Sequence, residues 1–447
     1  MDSDLIKEEL IAIIVKLEAK IKQLEEELAY YKNPKNSTNS HLPPSKDDNR
    51  PLKNQSLREP SERRPGGQPG HPGTTLEFSN QVDRVVEHQP NFCKCCSKDL
   101  SDVMGVLVDQ RQIIDIPPIK PERIEHRVYR KTCSCGHVNE SEFPFHIKSK
   151  VQYGSRVEAF IAYLHTRQYL PFNRMKELFS DMMNLPISEG GIHHLLQRFT
   201  QKSFPIYQQI KERIENAAVL GTDETGAKVN GKKHWFWAWQ NDQLTFIVHS
   251  DNRGFKTITD TFKNGLRKAV LVHDRWASHF QCIANYHQLC TAHLLRELIY
   301  IEELYQSDWA NQLKILLYKA LELKKELNQS DYFNENIQRQ TLKQNLFELL
   351  QSNIPQHHKK AKTLQKKLIK YQSYILYFLY HPKVPPDNNG SERAIRNIKV
   401  KQKISGQFKS AKGADCFAII RSVVDTTKKS KQNILNALVL IAHEVTE

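Results

Sequence analysis

Residues 217–229 read AAVLGTDETGAKV, an apolar run that ends in two acids and meets an Asn230-Gly231 turn signal. Three short apolar segments follow: HWFWAWQ at 234–240, LTFIVHS at 244–250 and KAVLVHD at 268–274, with a second turn at Asn241-Asp242. Strand-length runs bounded by turn residues predict β-strands. The order is three successive β segments, a helix, then a strand that ends in Asp274.

That order suggests an RNase H-like α/β core. In such a core Asp223 ends the first strand and Asp274 ends the fourth, so both carboxylates emerge at one sheet edge. Glu224 is adjacent and points to the opposite face of a strand, so it is not grouped with them. Acids at one edge suit phosphodiester chemistry. Two divalent ions about 3.5–4 Å apart can activate an attacking oxygen and stabilise a leaving one. Hard Mg²⁺ prefers carboxylate oxygens. A third acid is needed, and the candidate is Glu392 in PPDNNGSERAIRNIKV, residues 385–400. Asp387, Asn388, Asn389 and Ser391 are helix-start residues, which puts Glu392 in a first helical turn. Alone it reads as an acid favoured by the helix dipole; beside Asp223, Asp274 and the basic run after it, it reads as the third acid.

The basic run, residues 393–431, holds eleven Lys and Arg against two Asp. Arg393, Arg396, Lys399, Lys401, Lys403, Lys409 and Lys412 are its candidate DNA contacts. Phosphate contacts of this kind give affinity and salt dependence, not sequence reading. Between Asp274 and Glu392 the chain is mostly helical in pattern, over 294–305, 309–327, 339–352 and 359–380. This is read as a helical insertion, 286–384, that divides the core into 216–285 and 385–447. Near its start, Cys290 and His293 form a C-x2-H pair without partners for zinc. They are read as structural supports, and His293 can also orient a scissile phosphate.

Upstream lie smaller modules. Leu10, Ile14, Leu17, Ile21, Leu24, Leu28 and Tyr31 alternate steps of four and three, the a/d spacing of a coiled coil. Residues 1–32 are therefore read as a coiled coil that makes the protein a homo-oligomer, most simply a dimer; a helix packed on its own domain is the alternative. Residues 33–80, rich in Pro, Gly, Ser and charge, read as a flexible linker. Residues 81–150 hold Cys93-x2-Cys96 and Cys133-x-Cys135. Two short cysteine pairs can supply four thiolates to a structural Zn²⁺, with Cys95, His88 or His137 as substitutes for a member. Both pairs sit in turn-like contexts, separated by sequence with strand character that ends with Ile124 to Tyr129. Residues 151–215 read as helices over 157–169, 173–183 and, capped by Ser188, 189–199. The last carries His193, His194 and Arg198. Helix, turn, helix is the order of a DNA reader and also of ordinary helical packing.

Composition agrees with a nucleic-acid partner without proving it. The 447 residues carry a formal charge of +15. That length allows about two to four domains. No apolar run approaches the roughly 20 residues of a membrane span, and the start lacks a basic signal region, so a cytoplasmic protein is expected. Clustered cysteines do not suit a disulfide framework.

Several phrases together resemble one family: HLPPSKD and RRPGGQPGHPG in the linker, KTCSCG, the stretch from YGSRVEAFIAYLHTRQYLPFNRM to MNLPISEGGI, GTDETGAKVNGKKHWFWAW, HDRWASHF, CTAHLLREL and DNNGSERAIRNIKV. The chain is similar to transposases of the insertion-sequence-sixty-six family, which are DDE-type enzymes. The resemblance implies cleavage and strand transfer of a DNA element on an RNase H-like core interrupted by a helical insertion. It implies Asp223, Asp274 and Glu392 as a triad holding two Mg²⁺ or Mn²⁺ ions, and places Cys290 and His293 on the family's C-x2-H signature. DNA ends and target DNA are the implied partners, with accessory proteins of the same element. The chain departs from the pattern at C-x-C in the second cysteine pair and at Arg275, where a small residue often follows the Asp. A DNA-binding regulator that does not cut, and a structure-specific nuclease on the same core, are the competing readings.

Overall fold

The computed structural model describes residues 2–36, 39–40 and 76–443, without the side chains of 2–9 and 26. Most of the linker reading, residues 33–80, lies outside the described residues. Two compact units divide the chain at Arg50/Pro51 and at Lys120/Pro121. The second boundary falls between the two cysteine pairs, so Cys93 and Cys96 belong to one unit and Cys133 and Cys135 to the other.

Helix α1, Asp2–Lys32, presents the whole expected stripe to solvent, with Leu10, Ile14, Leu17, Ile21, Leu24 and Leu28 each more than half exposed. Strands β1 (Arg130–Thr132) and β2 (Val138–Glu140) form a small antiparallel hairpin. Residues 124–129, expected as strand, form none; their side chains have no sheet to pack on and, apart from half-buried Val128, stand exposed.

Helices α2 (Ser155–Thr166), α3 (Phe172–Met183) and α4 (Glu189–Glu215) follow. Ser188 caps α4, its hydroxyl accepting from the Gly191 amide at 3.0 Å. The helix then runs well past the expected end at residue 199, with Pro205 inside it. Proline removes one helical N–H, but buried Phe199, Tyr207, Ile210 and Ile214 hold the continuation against the core.

The core is one five-stranded sheet. Strands β3 (Val219–Val229), β4 (Lys232–Gln240) and β5 (Thr245–Ser250) form an antiparallel meander. After helix α5 (Phe255–Thr261), β6 (Leu266–His273) pairs parallel to β3. After the short α6 (Ala277–Gln281), β7 (Ala284–Leu289) pairs parallel to β6, giving the spatial order β5-β4-β3-β6-β7. The first hairpin closes through Asn230-Gly231, both at positive φ (47° and 75°). Positive φ at both central residues matches the twist of the strands it joins. At the second turn the Asn241 side chain accepts from the amides of Gln243 and Leu244.

Both sheet faces are covered. Trp237, Trp239, Leu220 and Leu271 pack with α4 residues Ile210 and Ile214 on one side. Phe236, Ala238, Ala227 and Val229 pack on the other against Ala394 and Ile398 of α11 (Asn389–Ser405) and Phe417 of α12 (Ala411–Lys429). Full burial of a side chain of Phe size contributes roughly 1.5–3 kcal/mol. The last helix, α13 (Ile434–His443), buries Leu438, Ile441 and Ala442.

The insertion has a core of its own. Helices α7 (Thr291–Tyr305), α8 (Asp308–Glu326), α9 (Ile337–Gln351) and α10 (Lys359–Lys370) gather Leu298, Leu313, Leu317, Leu346 and Leu364. The expected last helix ends at Lys370 and gives way to two short 3-10 turns. Val270, Val272 and Leu289 join this cluster, which fixes the insertion to β6 and β7.

Candidate active site

The register of the sheet decides where the acids stand. Val219, Leu220 and Gly221 of β3 pair with Val270, Leu271 and Val272 of β6. Two residues further along both strands, Asp223 comes level with Asp274. Neighbouring strands lie about 4.8 Å apart. Asp274 follows the last residue of β6, as expected. Asp223 instead lies within β3, paired with Ala238 of β4, because β3 runs on alongside β4 to Val229. Side-chain alternation turns Asp223 toward the face covered by α11.

Glu392 occupies the first turn of α11. Three linked contacts pin that helix start to β3 and β4. Asn388 Nδ2 donates to the Thr222 carbonyl at 2.7 Å, Ser391 Oγ donates to Asn388 Oδ1 at 2.6 Å, and Gln240 Nε2 donates to Ser391 Oγ at 3.3 Å. Asn388 was read as a helix-start residue; it stands at the N-cap, but its side chain reaches across to the strand instead of capping. Gly221 and Gly390 make the approach possible. A Cβ at Gly221 would stand 2.5 Å from Asn388 Oδ1, and one at Gly390 2.5 Å from Gln240 Nε2.

Cys290 and His293 fall where the insertion begins. Cys290 is buried, and its sulfur accepts from the Asn388 amide at 3.2 Å. Burial pushes its thiol up to about 12, which suits a structural hydrogen-bond acceptor and not a thiolate ligand. His293 Nε2 lies 3.6 Å from Glu392 Oε1. Arg296, one turn on, donates to the same oxygen at 3.1 Å. Arg296 was not singled out in the sequence; its place in CTAHLLREL, one helical turn after His293, was the available signal.

Asp274 Oδ1 accepts from the Trp276 amide at 2.9 Å and lies 3.8 Å from His279 Nε2. Arg275 is turned to Glu297 of α7 and paired with it. Burial, then the negative fields of Asp274, Glu224 and Glu392, push the Asp223 carboxyl well above the ordinary range. The three acids are thus electrostatically coupled oxygen donors, a set that fits a hard divalent cation. Among the described residues no three His, Cys, Asp or Glu side chains stand close enough to form a finished metal cage.

Glu224 faces away from Asp223, as alternation requires. Its Oε1 accepts from Arg253 at 2.9 Å and its Oε2 from His279 at 3.1 Å. Burial raises its carboxyl, but these two partners outweigh burial and leave it lowered.

A cleft of about 1310 Å³ opens beside these residues. Glu224, Asp274 and His293 line it; Asp223 and Glu392 are not among its lining residues. Its walls carry Lys399 and Lys403 of α11, and Lys359, Lys360 and Lys367 of α10. The α10 lysines were missed in the sequence, although KKAKTLQKKLIK at 359–370 is visibly basic.

The basic run divides into exposed and buried cations. Arg393, Arg396, Lys399, Lys403, Lys409 and Lys412 are exposed. Lys401 is not: it is buried, with its ammonium aimed at the carbonyls of Tyr169 and Leu170, and burial lowers it to about 8. The inward turn of α11 at Ile398 and Lys401 explains the difference. Arg421 and Lys429 are likewise bonded within the fold. Arg198 reaches back to buried Glu158 at 2.7 Å and so joins α4 to α2.

Each cysteine pair sits on a tight turn. In the smaller unit the Cys93 amide donates to Lys98 and the Ser97 amide to Cys93. Backbone N–H groups of Cys96 and Cys95 lower the Cys93 thiol. In the larger unit Cys133 and Cys135 lie on the β1–β2 turn, where Gly136 has φ 87°. The Cys135 N–H lowers the Cys133 thiol. Donors aimed at sulfur favour the thiolate that zinc requires.

The Transposase IS66 family profile matches residues 150–416. The zinc-finger binding domain of transposase IS66 matches residues 90–136, and a family of unknown function matches residues 2–77. No curated protein matches the chain.

Proposed function

The chain belongs to the IS66 family of transposases, and we propose that it cuts a DNA element at its ends and joins those ends to target DNA, with Asp223, Asp274 and Glu392 as the acids of the reaction centre. The observation that carries the proposal is the register that brings Asp223 level with Asp274 beneath the start of α11. The strand order, an antiparallel meander followed by two parallel strands, supports an RNase H-like core.

Mg²⁺ or Mn²⁺ bound by the three acids would activate the attacking oxygen and stabilise the leaving one. The chain's own residues set the geometry. Asp223 is fixed within β3, Asp274 stands just past the end of β6, and Glu392 is fixed by the Asn388–Ser391–Gln240 contacts. His293 and Arg296 hold the Glu392 carboxylate, and Arg296 puts a positive charge beside its oxygen. In the first step a water oxygen bonds to the phosphorus at the element end. The P–O3′ bond breaks, and the 3′ oxygen leaves as a hydroxyl. In the second step that hydroxyl attacks a target phosphodiester, and the target's own 3′ oxygen leaves. The exposed cations of α11 and α12 would neutralise phosphates along the path.

The same reading gives Zn²⁺ to Cys93, Cys96, Cys133 and Cys135, and assigns the α1 stripe to pairing between copies of this chain. DNA reading by residues 173–199 belongs to it as well, although α4 spends one face on the core.

The test uses labelled element-end DNA, Mn²⁺ and a target plasmid. Wild type is expected to give cleaved and joined products, and Asp223→Ala, Asp274→Ala and Glu392→Ala none. Activity that survives in all three variants overturns the site. Cleavage without joining favours a nuclease.

A further inference from the structure

Asp274 is the one acid of the three that is carried by a loop instead of a strand or helix. Something must hold that loop. Glu224 lies behind it, on the far face of β3, and is only 7% exposed. Both of its oxygens are engaged, so it does not complete the metal set. Its two partners lead to Asp274 by separate routes.

The first route is His279. Its ring is 1% exposed, with Trp237 edge-on at 5.6 Å and His273 at 5.1 Å. Its Nε2 stands between Glu224 Oε2 at 3.1 Å and Asp274 Oδ1 at 3.8 Å. A carboxylate only accepts, so the Glu224 bond puts the proton on this nitrogen, and Asp274 Oδ1 stands against the same edge of the ring without a hydrogen bond to it. The second route is Arg253. It forks onto Glu224 Oε1 while its guanidinium stacks on Trp276 at 3.7 Å and on Trp235 at 4.6 Å. The Trp276 amide is the group that donates to Asp274. A carboxylate this buried is costly, and packing alone would be served by an apolar residue.

We propose that Glu224 and His279 are positioning residues that hold Asp274 in place for the reaction: Glu224 fixes the His279 ring against Asp274, and it fixes Trp276, whose amide binds Asp274, through the Arg253 stack. The proposal rests on the reading of Asp274 as a metal-holding acid. Partners that orient a metal ligand typically change metal affinity or activity 10–100-fold when removed.

The experiment uses the full-length chain. Mn²⁺ binding is followed by electron paramagnetic resonance, and kcat and KM by cleavage of element-end DNA. Glu224→Ala and His279→Ala are expected to weaken Mn²⁺ binding by about 10–100-fold and to lower kcat with KM for DNA unchanged. Glu224→Gln keeps an oxygen for His279, and His279→Gln keeps a donor for Glu224; each is expected to recover most of the loss. His279→Ala leaves the Arg253–Glu224 pair intact and decides the matter should Glu224→Ala fail to fold. Loss of Mn²⁺ binding in Asp274→Ala with none in Glu224→Ala or His279→Ala overturns this proposal alone. Unchanged binding in Asp274→Ala overturns the reading of the site and this proposal with it.

Discussion

Gly221→Ala tests how Glu392 is placed. The new methyl would stand 2.5 Å from Asn388 Oδ1, 2.6 Å from Gln240 Nε2 and 2.6 Å from Ser391 Oγ. None of these is a free end. Asn388 is bonded to Thr222, Ser391 to Asn388, and Gln240 both to Ser391 and to Lys429, whose Nζ donates at 2.9 Å. Overpacking a close-packed site costs about 1–3 kcal/mol. Losing the Asn388–Thr222 bond adds about 1 kcal/mol. Replacing a strand glycine returns about 0.5–1 kcal/mol of chain entropy. The expected net loss is roughly 1–3 kcal/mol, together with loss of cleavage, because relief of the clash lifts the helix start that carries Glu392. Gly226→Ala is the control in the same strand. Its nearest neighbours, Lys233 Cε and Trp235, lie at 3.5–3.7 Å, so it is expected to be neutral or slightly stabilising. Urea unfolding followed by tryptophan fluorescence reads the stability, and element-end cleavage reads the site. A Gly221→Ala protein as stable and as active as Gly226→Ala would refute the argument.

Further outcomes follow from other parts of the molecule. The Asp223 carboxyl is raised in the fold, so its contribution to stability is present below the ordinary value of about 3.9 and lost as pH rises through the raised one. Asp223→Asn is therefore expected to raise the thermal midpoint of metal-free protein at pH 7 and to flatten its pH dependence; identical profiles would contradict this. Neutralising Lys403, Lys409 and Lys412 together is expected to reduce the slope of log affinity against log salt by about 2–3, near 0.9 per phosphate contact. Lys401→Ala should lower stability and leave that slope alone. Cys93→Ser and Cys133→Ser are each expected to lose zinc in metal analysis, and full retention would remove them as ligands. Leu17→Lys with Leu24→Lys is expected to turn an oligomer into a monomer in sedimentation; an unchanged mass would assign the stripe another role.

What is legible in the sequence is what local signals decide. The Asn230-Gly231 turn, the Ser188 cap and the three meander strands are all decided within a few residues. Strand β7 was missed because ANYHQL has neither a clean alternation nor a turn ahead of it; it is a strand because β6 offers it a partner. Helix α4 was cut short because Pro205 argues locally for an end, whereas buried Ile210 and Ile214 argue globally for continuation. Lys401 shows the same limit in a side chain. Charge counted along the chain cannot tell an exposed cation from one bonded to carbonyls two hundred residues away. The acids themselves were legible as types, but their coplacement depends on a parallel register that no window of sequence contains. The supports were least legible of all. Arg296, Arg253 and His279 acquire meaning only through what they touch.

The insertion explains why those supports could be built. It is more than a spacer between the second and third acids. Cys290, at its entrance, accepts from the amide of Asn388, 98 residues later, and the Thr291 amide donates to Pro386. Entrance and exit are thus bonded together, beside the turn that launches α11. Closing a loop grows dearer only slowly with length, about 0.6 kcal/mol for each doubling, and the insertion's own leucine core offsets that cost. The first helix of the insertion then supplies His293 and Arg296 to Glu392, and Glu297 to Arg275. The segment that separates Asp274 from Glu392 in sequence therefore supplies the partners of the Glu392 carboxylate in space, alongside the strand contacts that hold the start of α11. Deleting α8 to α10 while keeping α7 should leave the entrance bonds intact but strip the core that holds α7 on β6 and β7. Glu392 would then lose its partners without any change in the acids, and cleavage should fall while Asp223 and Asp274 remain in register.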